Sequence, residues 1–408
     1  MFRRDPKGPA VGAIATFSVA MLVVVGDARA AGSDGRFSVY GDFRGRLEHD
    51  WDSTRGDGTE RDDRGRLRVR ARIGLKYNRD KIEVGVRLRS GPEESQQSPH
   101  ITVYDFDDNP TGDADFNLDK WYLQYKTPRT RTFVGRNSIP WWFQDELIWD
   151  DDITPAGVGF AFKEKVGKSG KLMANAGFFT LPEGMRRFRG DLLLAQLVHK
   201  RKIGNRIKLV LAGGYLDIDA DTEEGDSGIL LQGNELRDYS TIVVNGQWNL
   251  EIGRNRLQLG ADYYLNTESY DDESPGSFDD FHKDEDTGYT VFATWGGAGA
   301  EAAGKDKRED RGEDEMQGYW RVGAYYTRME MFAFNSSYMQ DDWVRWGNMT
   351  QTRSSNFKGT ELRGVYGFNK QLELVARLYL VDGIQLTNPG DVAKEDGNRF
   401  RLDLNFRF

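Results

Sequence analysis

Apolar and charged side chains alternate with a period of two along nearly the whole chain after residue 36. The stretch RGRLRVRARIGLKY, residues 64–77, shows the pattern most clearly, with cations at one parity and apolar residues at the other. Successive side chains of a β-strand point to opposite faces, so the pattern predicts strands with one charged face and one apolar face.

Sixteen such segments follow one another, at 37–49, 64–77, 81–90, 117–126, 131–137, 156–165, 171–180, 190–201, 206–216, 238–250, 256–267, 286–295, 318–328, 359–368, 371–381 and 398–408. Segments near ten residues with this alternation suit strands that cross a membrane at a tilt. Short connections alternate with long ones, which is typical of outer-membrane barrels. The sequence therefore predicts an all-β fold, a transmembrane antiparallel up-and-down β-barrel of about 16 strands, with 18 as the alternative count.

The first thirty residues have the composition of a secretory signal. Three cations precede the apolar run 11–26, and Ala28–Ala30 offers a cleavage site of small residues. We expect residues 1–30 to be a signal peptide and residues 31–408 to form a multi-pass barrel in the outer membrane of a Gram-negative cell.

Three connections are expected to be long loops, at 91–116, 138–155 and 329–358. Residues 330–340 resemble a seventeenth strand, but an odd count would break the even strand number of a bacterial barrel. We therefore expect this stretch to be an extracellular or inward-folded loop. The polar, low-complexity insertion 297–316 is expected to be disordered.

Composition excludes several other functions. The formal net charge of −9 argues against a nucleic-acid-binding protein, and the absence of cysteine excludes disulfides and thiolate chemistry. The chain has four histidines and no G-x-S-x-G motif, so no enzymatic activity and no cofactor are predicted. The acidic stretch 105–117 spaces oxygen ligands as calcium loops do, but it lacks the EF-hand glycine and glutamate, so a solvated loop is favoured and no metal site is assigned.

The chain ends in an amphipathic strand, NRFRLDLNFRF, whose last residue is Phe408. A terminal phenylalanine on such a strand resembles the signal that the barrel assembly machinery of the outer membrane reads. We therefore expect that machinery, outer-membrane lipid and lipopolysaccharide to be partners of the protein.

A resemblance to a known family is found in residues 134–162, VGRNSIPWWFQDELIWDDDITPAGVGFAF. This stretch resembles the central signature of the putative porin family of bacterial outer-membrane β-barrel proteins: a Gly-Arg pair closes a strand, an aromatic and acidic loop with Trp-Asp-Asp follows, and Thr-Pro-x-Gly opens the next strand. The resemblance implies a diffusion channel. General porins often trimerise, so a homotrimer is one of the oligomeric states left open.

The charged parity of the first strands would face a water-filled lumen. The candidate pore-lining residues are Arg44, Arg46, Arg66, Arg68, Arg70, Arg72, Arg87, Arg89, Lys120 and Arg136. In general porins the loop that corresponds to 138–155 often bends into the lumen, so the candidate constriction residues are Asp145, Glu146, Asp150, Asp151 and Asp152. Arginines facing an acidic loop would create a transverse field; alternatively, the same charges would form a ladder of ion pairs that only stiffens the barrel.

Small hydrophilic solutes, anionic ones above all, are the predicted cargo of a water-filled channel with this lining. Two alternatives share the fold. One is a dedicated barrel for transport or export of an anionic polymer such as an acidic polysaccharide, and the other is a structural barrel with a plugged lumen.

Overall fold

The chain was analysed as a computed structural model, which describes residues 35–92, 97–107, 114–181, 190–220, 237–270, 277–297, 318–343 and 354–408. The predicted signal peptide and residues 298–316 of the predicted insertion lie outside these ranges, as does the central part of the acidic stretch 105–117.

The first half of the chain contributes β1 (Arg36–Trp51), β2 (Ser53–Thr54), β3 (Glu60–Arg61), β4 (Arg64–Arg79), β5 (Ile82–Ser90), β6 (Ile101–Asp105), β7 (Phe116–Lys126), β8 (Thr130–Arg136), β9 (Ala156–Val166) and β10 (Gly170–Thr180). The second half contributes β11 (Gly190–Ile203), β12 (Ile207–Ala220), β13 (Tyr239–Ile252), β14 (Asn255–Asn266), β15 (Thr287–Gly297), β16 (Tyr319–Met329), β17 (Phe357–Gly367), β18 (Leu372–Gly383) and β19 (Asp396–Arg407).

These strands close into one antiparallel barrel. Each wall strand pairs with its neighbour in sequence, and β19 pairs with β1, so the sheet has no open edge. The short strands β2 and β3 pair only with each other. With β5 and β6 counted as one position, the wall has sixteen strands, and the predicted up-and-down barrel of 16 strands is confirmed. Closure matters because lipid offers no hydrogen-bond partner to an unpaired strand edge.

One wall position holds two strands in series. Both β5 and β6 pair with β4, β5 along its second half and β6 along residues 66–69. The chain leaves the wall after Ser90 and re-enters it at Ile101, so the backbone of β4 stays paired on that side. The expected long loop 91–116 is therefore not one loop, since it contains β6.

Alternation along β4 separates two environments. Leu67 and Ile73 are exposed on the outer surface, whereas Arg66, Arg68 and Arg70 are buried inside the barrel. The apolar parity thus forms the lipid-facing surface and the charged parity faces the interior.

Where the connections are described in full, short turns join the strands at one end of the barrel and longer segments join them at the other. The described part of the chain contains one helix, α1 (Phe278–His282), in a longer segment, and it is neither long nor apolar enough to cross a membrane.

Two of the longer segments fold into the barrel instead of leaving it. Residues 138–155 and 330–343 are largely buried and pack an aromatic and aliphatic core against the inner faces of β10 to β18. The stacked pair of Trp149 and Tyr338, with ring centroids 5.4 Å apart, joins the two segments. Where these two segments pack, the interior is therefore apolar, whereas the side of β19, β1 and β4 is charged.

Candidate functional site

Three inward segments meet near the middle of the barrel: 97–100, 138–155 and 330–343. We call them the constriction segments. The backbone N–H of Asp150 donates to the carbonyl of Tyr338 at 2.9 Å, and that of Gln340 donates to Leu147 at 2.9 Å. The Gln97 amide donates to the carbonyl of Met339 at 2.5 Å. These bonds make the three segments one connected body.

The wall holds segment 138–155 in place. The Gln144 amide donates to the Asp262 carboxylate at 2.6 Å, and the backbone of Trp142 exchanges two hydrogen bonds with the Gln196 side chain, at 2.8 and 2.9 Å. The Trp141 ring lies over Gly214, where a Cβ would come within 2.3 Å of it. Only glycine at this wall position leaves room for the indole.

The acidic loop meets the arginines of β4 directly. Asp152 accepts from Arg70 at 2.6 Å and from Arg72 at 2.6 Å. Asp42 of β1 accepts from the same two arginines, at 3.0 and 2.7 Å. Each guanidinium is thus shared between the wall and the loop, which satisfies buried charges that would otherwise be costly.

A second ion cluster surrounds Glu48, which is fully buried on β1. Arg66 binds it directly, while Arg68, Arg399 and Arg46 approach its carboxylate at 3.5, 3.6 and 3.8 Å. The Glu48 carboxylate lies between guanidiniums of neighbouring strands, so it neutralises part of their positive charge inside the barrel.

The remaining predicted cations have local structural partners. Arg87 forms a bidentate pair with Asp119, Arg89 donates to the backbone carbonyls of Ser90 and Pro92, Lys120 donates to Ser138, and Arg136 donates to the carbonyl of Thr154. These contacts tie the loop termini to the wall.

Charged and polar groups of the wall and of the constriction segments line a small gap, which we call the eyelet. It is lined by Arg44, Arg46, Gln97, His100, Glu146, Asp150, Asp151, Asp152, Gln340, Asp341, Asp342, Arg377 and Arg401. Of the ten candidate pore-lining cations, only Arg44 and Arg46 belong to it. Four of the five candidate constriction residues do, the exception being Asp145.

Burial and crowding perturb two groups of the eyelet. The pKa of Asp150 is raised well above its usual value, first by burial and then by the carboxylates of Asp152, Asp151 and Asp341. Burial, reinforced by nearby guanidiniums such as Arg46, holds the pKa of His100 well below its usual value. The imidazole is therefore neutral at pH 7, and the space around Asp150 is dominated by negative charge.

Sequence reasoning missed several residues of this site. Asp341 and Asp342 lie just after residues 330–340, which the sequence predicts to be an extracellular or inward-folded loop without assigning it site residues, and His100 lies in a stretch without periodicity. Arg399 and Arg401 follow the same alternation in β19 that identified the arginines of β4, so the pattern could have found them.

The closed barrel, its lipid-facing surface and the charged constriction inside it define an outer-membrane channel protein of the porin class. Residues 57–217 match the model of the putative porin family, so the resemblance inferred from the sequence is confirmed. The match indicates a channel and not an enzyme. A sequence comparison with curated proteins gives no significant match.

One solved structure shares the fold at low sequence identity, and others are similar at lower scores. The high-pH structure of OprB from Pseudomonas putida superposes with a TM-score of 0.52 at 12% identity, over 91% of this chain and 94% of that one. An anion-selective porin from Comamonas acidovorans gives 0.49 at 11% identity, over 92% and 100%. The outer membrane channel DcaP of Acinetobacter baumannii gives 0.47 at 12% identity, over 94% and 100%.

Proposed function

We propose that the protein conducts small hydrophilic anions across the outer membrane through the eyelet. Within this proposal Arg44 and Arg46 line the narrowest part of the path. The other candidate cations act by holding Asp152, Glu48 and the loop termini in place. The predicted ladder of ion pairs and the predicted transverse field would therefore exist together in one barrel.

The observation that carries the proposal is a set of lysines near the short-turn end of the barrel. By strand alternation six of them share the inward parity of β9 to β12, and we call them the lysine face: Lys163, Lys165, Lys171, Lys200, Lys202 and Lys208. No aspartate or glutamate occupies that parity on these four described strands.

Lysines of this face lie directly opposite each other across neighbouring strands. Lys171 is the register partner of both Lys165 and Lys200, and Lys202 is the partner of Lys208. Like charges in such positions destabilise a sheet, by roughly 0.2–1 kcal/mol for each pair on the scale of cross-strand interactions. Attraction of anionic solutes to the lysine face would give this unfavourable arrangement of lysines a function.

Arg44 and Arg46 of the eyelet and the lysine face would act in series. The Lys200 ammonium lies 5.1 Å from the ring centroid of Trp142, which belongs to the constriction segments. An anion that passes Arg44 and Arg46 on the basic side of the eyelet would therefore meet the lysine face next, and the positive potential of the lysines would raise the local anion concentration.

Reversal potentials of the purified protein in planar bilayers test the proposal. We expect preference for chloride over potassium, and we expect the triple variant K165Q/K171Q/K200Q to lose part of it while K168Q, in the exposed turn after β9, does not. Cation preference in the wild type would contradict the proposal. Block by an added polyanion at low concentration would instead favour the dedicated polymer channel.

The partners expected from the sequence belong to the same proposal. Phe408 would be read by the barrel assembly machinery, and the outer surface would contact lipid and lipopolysaccharide. A homotrimer is included as the proposed assembly. Cross-linking in detergent followed by mass determination would distinguish it from a monomer.

A further inference from the structure

Arg44 of β1 brings a guanidinium without a carboxylate partner to the eyelet. Its Nε donates to the neutral Asn405 side chain at 2.7 Å, and among the described residues no group accepts a hydrogen bond from its two terminal nitrogens. The carboxylates that act most strongly on it, those of Asp403 and Asp152, are engaged by other guanidiniums, at 2.8 and 2.6 Å. Two charged donors of Arg44 are therefore left for a group inside the eyelet.

His100, in constriction segment 97–100, also lines the eyelet with unused polar atoms. Its side chain is 6% exposed, and neither Nδ1 nor Nε2 has a hydrogen-bond partner in the described part of the chain. The other fully buried histidine differs, because Nδ1 of His282 lies 2.8 Å from the Glu285 carboxylate and its Nε2 lies 2.8 Å from the carbonyl oxygen of Thr387. Buried polar groups normally make a hydrogen bond, so a group that enters the eyelet and bonds to His100 would be favoured.

The surroundings of His100 determine the charge of that group. After burial, the strongest influences on the ring come from four guanidiniums, those of Arg46, Arg68, Arg44 and Arg70. A neutral imidazole keeps one N–H that can donate, and the guanidiniums around it attract negative charge. An anion therefore fits this side of the eyelet, whereas a cation does not.

The size of the eyelet and its opposite side limit which anion fits. The free volume is about 20 Å³, and a single water needs about 10–15 Å³, so only a small group can enter. Carboxylates of segments 138–155 and 330–343 line the far side and would repel a second negative charge. Two terminal nitrogens of a guanidinium match two oxygens of a planar oxyanion in geometry.

We propose that Arg44 and His100 together bind one small monovalent planar oxyanion, such as a carboxylate group. Two of its oxygens accept from the terminal nitrogens of Arg44, and one of them also accepts from the imidazole N–H of His100. Arg46 and Arg68 add positive charge around it. The binding site stands on these groups alone, but the statement that such anions are solutes of the channel rests on the proposed function.

Formate binding to the full-length barrel in detergent tests the site. We label the four histidines with ¹⁵N and identify the ring signals of His100 by their loss in H100Q. We expect these signals to shift saturably with formate while those of His49, His199 and His282 do not move. R44Q should weaken formate binding at least about tenfold, and R44K, which keeps the charge but loses the planar fork, should weaken it severalfold.

Matched controls separate this site from general attraction of anions. R129Q removes an exposed arginine of a short turn and should leave the formate affinity unchanged. At equal ionic strength, sulfate should displace formate at least about tenfold less well because of its second charge, and chloride should displace it less well because it lacks a second oxygen. Circular dichroism verifies the β-structure of each variant.

Three results would overturn the proposal. They are the absence of a saturable His100 shift, equal formate affinity in R44Q and wild type, and sulfate binding as tight as formate binding. Parallel shifts of all four histidines without saturation would count as the first of these.

The binding site and the channel can fail separately. The titration needs no open pore, so saturable formate binding by a barrel that conducts no ions would support the site and contradict the proposed function. Anion-selective currents together with no formate binding would overturn the site and leave the proposed function standing.

Discussion

At the scale of single residues, the interior of the barrel is a network in which most charges are already neutralised. Arg46, Arg70 and Arg399 are almost fully buried, and each contacts at least one carboxylate. Removing one partner of such a pair leaves a buried charge and costs several kcal/mol, about 3–5 for a fully buried pair. Substitutions that test conduction should therefore avoid these residues.

Arg44 is the residue best suited to testing selectivity. It donates to Asn405 at 2.7 Å, lines the eyelet and has no ion pair within 4 Å among the described residues. A unit charge 4 Å from a passing ion is worth about 1 kcal/mol in water. We expect R44Q to lower the ratio of anion to cation permeability severalfold in reversal-potential measurements, and R129Q, an exposed turn residue, to leave it unchanged. Equal ratios in R44Q and wild type would show that the path bypasses the eyelet.

As the pH falls, the acidic side of the eyelet should gain a proton before ordinary carboxyl groups do. The pKa of Asp150 is raised well above its usual value, so this carboxylate gains its proton first as the pH falls. Each proton removes a negative charge, and anion preference should therefore rise on acidification. Reversal potentials recorded from about pH 7 to about pH 4 would show the rise, and D150N should remove its early part. A fall in anion preference over that interval would contradict the assignment.

The alternation of side chains alone predicted which cations of the barrel strands face the interior, because a strand can present only two faces. It could not identify their partners. Asp152 and Asp342 reach the arginines from segments distant in sequence, and His100 lies where no periodicity exists. Such pairings depend on how a loop folds inside the barrel, which the spacing of residues does not encode.

At the scale of elements, the strands were predictable from alternation, whereas the interruption between β5 and β6 was not. Every predicted strand is present with its ends displaced by a few residues, since each one faces lipid on one side and so alternates. Between β5 and β6, at residues 91–100, the chain leaves the wall, and the sequence there has no alternation that predicts this interruption. Segment 330–340 resembles a strand because it is apolar, but it is apolar because it packs inside the barrel against Trp149 and its neighbours.

Trp149 should control how firmly the constriction segments are held. It is 2% exposed and stacks on Tyr338, so W149A should lower the free energy of unfolding by about 3–5 kcal/mol. Loosened segments should also raise the single-channel conductance and its noise. W248A is the matched control, because that indole is 63% exposed on the outer surface and its loss should change neither quantity. A stable W149A protein with wild-type conductance would show that the segments are held without this stack.

At the scale of the whole molecule, the barrel closes where β1 pairs with β19, and we call this pairing the seam. Ten register pairs join the two strands, from Asp42 with Arg407 to Trp51 with Asn398. The same seam carries part of the charged wall, since Arg46 of β1 binds Asp403 of β19 at 2.8 Å. Closing the barrel and assembling the charged side of the eyelet are thus one event.

Phe408 lies where that seam ends, so its part in closing the barrel can be tested separately from its proposed part as an assembly signal. Its backbone exchanges two hydrogen bonds with Gly41, at 3.0 and 3.1 Å, and its ring lies so close to Gly41 that a Cβ there would come within 2.6 Å of it. F408A keeps the backbone bonds and removes the ring. If the ring is chiefly a signal to the assembly machinery, refolding of F408A into detergent should match the wild type, while its yield in the outer membrane of cells should fall severalfold. Deleting Phe408 removes the hydrogen bonds as well, so that variant should lose refolding yield in detergent too. Equal losses for F408A in detergent and in cells would assign the ring to closure of the barrel and not to recognition.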